Sequence, residues 1–181
     1  MLTITVPDTE LWDEKTNTFI SIKETTLQLE HSLVSMSKWE SYWCKPFMTK
    51  EDKTQTEITD YIQCMTLNKN IDLNVYRCLS TTNKKAIEDY INAPMTASFV
   101  RDDGNKNQIN REQITSELIY YWMITLGIPF ECQKWHLNRL IMLIRICERK
   151  NTPSKKHSAR ELMSRNAALN AARRRKTGSR G

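Results

Sequence analysis

The sequence predicts a mainly α fold of the α+β kind: a helical domain with an amino-terminal β-hairpin and a basic carboxy-terminal helix. Three observations carry that prediction. Leu2, Ile4 and Val6 alternate with Thr3 and Thr5, the period of a half-buried strand. Apolar residues then recur at spacings of three and four from Leu33 to Cys147, the period of helices with one buried face. Finally, residues 155–181 hold nine Lys or Arg against the single acid Glu161, a charge of +8, so the net +6 of the chain leaves about −2 for the rest.

In chain order, Pro7 ends the first strand and residues 10–13 continue extended. Residues 14–17 read as a turn, and residues 19–23 as the second arm of a hairpin. A third short strand fits residues 26–30. Ser32 is placed to cap a helix with Leu33, Met36, Trp39, Tyr42 and Trp43 on its stripe, stopped by Pro46. Thr54 and Glu57 form a capping box before Ile58, Tyr61, Ile62 and Met65. Asp72 caps a short helix carrying Val75, Tyr76 and Leu79. Thr82 is the expected cap of the next, with Ala86, Ile87, Tyr90 and Ile91, closed by Pro94.

Residues 93–110 are irregular, either a small hairpin with 97–100 as one arm or a loop. Asp102, Asp103 and Gly104 mark a turn rather than a calcium loop, because alternate ligands and a closing Glu are missing. A capping box at 110–113 opens a helix with Ile114, Leu118, Tyr121, Trp122 and Thr125 inward, ending at Gly127. The strongest helix signal is 127–150, with Pro129 in its first turn and Arg149 and Lys150 at its end. Cys132, Trp135, Leu137, Leu140, Ile141, Leu143, Ile144 and Cys147 make its apolar face so wide that it is expected at the centre of the domain. The body is thus 1–150. Residues 151–181 are a basic linker and a last helix capped by Ser158, with little to bury beyond Leu162, Met163 and Leu169.

Composition narrows the chemistry. Only four glycines occur, with no GxGxxG and no GxxxxGK, which argues against a nucleotide-binding loop. The five cysteines are odd in number, widely spaced and mostly on apolar stripes. They read as reduced, buried thiols of a cytosolic protein, without zinc-ligand spacing. No metal and no cofactor is expected. The amino terminus lacks a signal-peptide pattern, and the apolar runs near 118–130 and 140–147 are too short for a bilayer. His136 with Arg139 one turn on could hold an anion, but no carboxylate or nucleophile completes a site; Trp135 reads as packing and His136 as lying at the edge of the buried face. Cys132 reads as core. His31 and His157 read as solvated. No catalytic residue is assigned, and the chain is not expected to be an enzyme.

Two features point to partners. Trp39, Tyr42, Trp43 and Phe47 form an aromatic stripe that is either core or a contact surface, and Trp122 and Trp135 are further candidates for partner binding. Arg160, Arg165, Arg173, Arg174, Arg175, Lys176 and Arg180 make a basic tail able to meet phosphates or an acidic protein surface.

Several runs resemble a group of small tailed-bacteriophage proteins described as tail assembly chaperones. They are TTLQLEHSL from Thr25, KWES from Lys38, LIYYWM from Leu118, IPFECQKWHLNRL from Ile128 and SRNAALNAAR from Ser164. The likeness lies in runs and overall texture, from the hairpin to the basic tail. It implies a non-catalytic role in virion morphogenesis, in the host cytoplasm during assembly. Such proteins are thought to coat the long, aggregation-prone tape measure protein while the tail tube polymerises, and then to leave. Alternatives are a structural virion component of the tail or head–tail connector, and a nucleic-acid-binding protein using the basic tail. No membrane partner is expected, and homo-oligomerisation stays open.

Overall fold

The computed structural model describes residues 1–13, 17–49, 51–99, 113–151 and 159–178. Among them are four strands, β1 (Leu2–Val6), β2 (Thr9–Asp13), β3 (Thr18–Ile22) and β4 (Thr25–Leu29). Seven α-helices follow: α1 (Leu33–Trp43), α2 (Gln55–Met65), α3 (Leu73–Arg77), α4 (Thr81–Asn92), α5 (Ser116–Thr125), α6 (Leu137–Asn151) and α7 (Ala159–Thr177). The chain is mainly α with an amino-terminal hairpin. Met1–Arg149 form one compact unit and Lys150–Gly181 a second. The expected turn at 102–104, the box residues 110–112, His157, the cap Ser158 and Arg180 lie outside the described residues, and 97–99 are not in a strand.

The hairpin is a single antiparallel ribbon. Leu2 faces Leu29, Val6 faces Thr25, Thr9 faces Ile22 and Asp13 faces Thr18, one register throughout. It is interrupted where Pro7 has no N–H to give; there the Asp8 carboxylate accepts from the Glu24 N–H instead. Alternation puts Ile4, Val6, Leu27 and Leu29 inward and Thr3, Thr5, Thr26 and Gln28 outward. The inner face packs on α2, α3 and α4 through Tyr61, Ile62, Met65, Val75, Ile87 and Tyr90. The chain leaving α2 closes the other edge of β4: the Leu67 N–H donates to the Gln28 carbonyl at 2.8 Å.

The central element is α1, not the segment 127–150. Ser32 caps α1 through a reciprocal box with Ser35. Trp39 enters the core under the ribbon, while Leu33 and Met36 enter a second core with Ile119, Met123, Leu137, Leu140 and Ile144. The expected helix 127–150 is divided. Residues Phe130–Lys134 form a 3-10 turn, Trp135 is extended, and α6 starts only at Leu137. Tertiary pairing imposes the break: His136 bridges Ser32, and the Leu137 N–H donates to the His31 carbonyl at 2.7 Å. Of α6, only Leu137, Leu140 and Ile144 are buried; Ile141, Met142, Leu143, Ile146 and Cys147 are half-buried, so the helix flanks the core.

Three local expectations also shift. Ser80 caps α4 in place of Thr82, accepting from the Asn83 N–H. Thr115 caps α5, five residues beyond Asn110, the cap of the expected box at 110–113, with the side chain accepting from the Leu118 N–H. The buried face of α5 is Ser116, Ile119 and Met123, whereas Tyr121 is exposed. LIYYWMI is apolar all round, so periodicity could not orient this helix. Among the thiols, all free, only Cys132 is buried; Cys64, Cys78 and Cys147 are half-buried, and Cys44 is exposed at the left-handed end of α1.

One buried carboxylate joins these parts. Glu40 accepts the Phe47 N–H through Oε1 and the Ser116 N–H through Oε2, both at 2.7 Å. Ser116 opens α5, where the helix dipole favours a negative charge. Replacing Glu40 with alanine orphans two N–H groups, and each buried orphan costs about 1–3 kcal/mol. Urea unfolding of Glu40→Ala should show a loss of about 3 kcal/mol, and of Glu40→Gln a smaller one, because one carbonyl oxygen remains to accept.

Candidate functional site

Two depressions flank α2. The smaller, about 480 Å³, is lined by Lys38, Trp39, Tyr42 and Trp43 of α1 and by Asp60, Gln63 and Cys64 of α2. Helical spacing brings the aromatic group together: Tyr42 and Trp43 meet edge to face at 5.5 Å, and the Trp39 and Trp43 rings lie tilted by 33° at 6.2 Å. Their roles differ. Trp39 is buried with its indole N–H donating to the Glu57 carbonyl at 2.9 Å, so it is core. Tyr42 is 75% exposed and is the surface member. Trp43 is half-buried, and its Nε1 is shielded from water without a hydrogen-bond partner. Lys45 lies 5.7 Å from the Trp43 ring centroid and pairs with Glu57 at 2.9 Å. That hydrogen bond holds the Glu57 carboxyl down at about 2, helped by the Thr54 backbone. Burial raises the Cys64 thiol, which opposes a nucleophilic thiolate.

Trp122 and Trp135 do not line this cleft. Both are half-buried against the second core, and the Arg139 guanidinium stacks on Trp135 at 4.2 Å. The Arg139 guanidinium beside His136 thus lays its flat face on a ring. Arg165, Arg173, Arg174, Arg175 and Lys176 are exposed on α7; Arg160 is in the same helix.

The larger depression, about 860 Å³, runs between α2 and α4. Its floor is Phe47, Ile58, Tyr61, Ile62, Ile87 and Ile91, and its rim carries Lys53, Lys84 and Lys85 against Glu88 and Asp89. Sequence reasoning missed it. The apolar stripes of α2 and α4 were visible, but a stripe does not say whether its outer edge is covered. Ile58 is the sign that it is not: it is 40% exposed, although it opens the α2 stripe.

Behind this floor lies a buried polar cluster. His31, expected in solvent, is only 3% exposed, and its Nδ1 lies 2.5 Å from the Tyr61 hydroxyl. Its ring meets His136 edge to face at 5.1 Å. His136 accepts the Asn138 N–H at Nδ1 and faces the Tyr90 carbonyl with Nε2 at 3.0 Å, an arrangement that fits the neutral Nε2–H tautomer. The Tyr90 hydroxyl donates to Glu30 at 2.7 Å, and the Met1 amino group pairs with the same carboxylate. Burial, with the nearby His136, lowers His31 to about 4, and burial lowers His136 as well.

No protein-family model, curated protein or solved structure matches this chain. Among the described residues, no group of three or more His, Cys, Asp or Glu could hold a metal ion, and no helix is long and apolar enough to cross a membrane.

The histidine pair makes stability depend on pH. A histidine whose folded value lies below its ordinary 6.5 favours folding fully above that pH, and the contribution is lost as pH falls through the folded value. For His31 the loss amounts to about 3 kcal/mol between pH 6.5 and 4. Urea midpoints measured across that window should fall steadily, and the slope should flatten in His31→Asn. Glu57 adds a loss of the same sign at the acid end only, because its carboxyl takes up a proton near 4.5 once unfolded but not until about 2 when folded.

Proposed function

We propose that the protein is a non-catalytic tail assembly chaperone, or a closely related morphogenesis protein, that holds an amphipathic helical segment of a tape-measure-type partner. The single observation that supports this reading is the groove between α2 and α4. An amphipathic helix binds by laying its apolar face in a hydrophobic channel, with anchors at i, i+3 or i+4 and i+7. A helix about 10–12 Å wide, rising 5.4 Å per turn, fills roughly 860 Å³ with about two turns. The floor offers Ile58, Ile91 and Phe47 to such anchors, with the buried Tyr61, Ile62 and Ile87 packed behind them. The exposed Lys84 and Lys85 suit acidic residues at the margin of the partner's apolar stripe.

Magnitude agrees with a coating role. Two turns supply about three anchors, each gaining about 1.5–3 kcal/mol on burial. Association itself costs about 4–15 kcal/mol, so one copy on one site binds weakly. Many copies along one long repetitive helix hold it soluble and still dissociate when tube protein displaces them. The resemblance noted above supports the same role, and the aromatic cleft beside Tyr42 and Trp43 offers a second contact on the other side of α2.

Co-expression with the products of its neighbouring genes tests the reading. A soluble complex with a long, helical, tape-measure-like protein is expected, and Ile58→Glu should abolish it by placing a charge on the groove floor. Because Ile58 is part-exposed, that variant should keep the wild-type circular dichroism spectrum. Purified particles should contain little or none of this chain by mass spectrometry. A stoichiometric amount in the particle would instead identify a virion component.

A further inference from the structure

We infer that α7 is a duplex-DNA-binding helix that lies in the major groove, a function separate from the groove on the body. The inference starts from how cations are placed around this helix. Arg173, Arg174, Arg175 and Lys176 are consecutive, and at 3.6 residues per turn four consecutive positions cover the whole circumference. An acidic protein surface is met from one side and needs one charged stripe. A ligand that surrounds the helix needs cations on every side, as the two phosphate walls of a groove do.

The rest of α7 fits the same ligand. Every side chain from 163 to 176 is exposed, and the large apolar ones among them, Met163 and Leu169, form no stripe with which to enter a bilayer surface or an apolar channel. Ala167, Ala168, Ala171 and Ala172 keep the helix slim. Asn166, Asn170 and Arg174 stand at i, i+4 and i+8, hence on one face. Asparagine reads adenine and arginine reads guanine at base edges in the major groove. A helix about 10–12 Å across enters the B-DNA major groove, about 12 Å wide, whereas the deep, narrow major groove of A-form RNA excludes it. Residues 1–154, with a net charge of about −2, add no general attraction to phosphate and leave the tail, at +8, as the binding element.

Fluorescence anisotropy with the whole chain and a short mixed-sequence DNA duplex tests this. Neutralising four phosphates with Arg165, Arg173, Arg175 and Lys176, which leaves Arg174 to the base edges, predicts a salt slope of about −4 and an affinity loss of about 100-fold between about 50 and 200 mM salt. The fourfold variant Arg173→Ala, Arg174→Ala, Arg175→Ala and Lys176→Ala should lose binding by a similar factor while keeping its helix, since alanine is the best helix former. Ala168→Pro keeps every charge but breaks the helix, and it too should lose at least about tenfold, on the scale of a lost groove fit. Methylation of guanine N7, which blocks the major groove, should weaken binding. The inference is overturned if Ala168→Pro or N7 methylation leaves affinity unchanged. It is equally overturned if an A-form RNA duplex or polyglutamate binds as tightly as DNA. Ile58→Glu should not alter DNA binding, so failure here and failure of the groove reading can be told apart.

Discussion

The body depends on how α1 is held, and Glu40 is the residue that holds it. Its two oxygens take backbone N–H groups from segments seven and 76 residues further along the chain. One bond fixes Phe47, whose ring packs at 4.1 Å on Tyr61 and at 5.3 Å on Trp39. The other fixes the first residue of α5. A carboxylate buried in this way is costly unless both oxygens are satisfied, so it selects one arrangement of α1, the loop after it and α5. With α1 fixed, Trp39 faces one core and Leu33 and Met36 the other.

The candidate groove follows from that arrangement. Phe47 and Tyr61 belong both to the floor of the groove and to the aromatic packing behind it. Tyr61 is tied to His31, and His31 to the backbone of α6 through its carbonyl. The floor of the groove is therefore the outer side of a hydrogen-bonded polar and aromatic layer.

The two proposed functions draw on different physics and different units of the chain. The groove works through shape and apolar burial within Met1–Arg149. The helix α7 works through counterion release and groove width, and contributes almost no apolar area. A morphogenesis protein with both would combine a weak, shape-dependent grip on a helical partner with a salt-dependent grip on DNA.

By itself the sequence determined the fold class, the alternating strands, the caps at Ser32, Thr54 and Asp72, the end of α5 at Gly127 and the basic character of the tail. These are short-range signals: a period of two, a hydroxyl or carboxylate two or three residues before a donor, a run of cations. Tertiary structure decided what depended on partners distant in sequence. It set which helix is central, because apolar width alone cannot tell α6 from α1. It turned α5 so that Ile119 and Met123 face inward, because every side of that helix is apolar. It divided the segment 127–150 at His136, where pairing with Ser32 outweighed helix periodicity. It buried His31, because a lone histidine before a cap carries no sign of the ring and hydroxyl that will enclose it. The groove between α2 and α4 belongs to this second class: each helix showed an apolar stripe, but only their packing shows that the stripes leave an open channel between them.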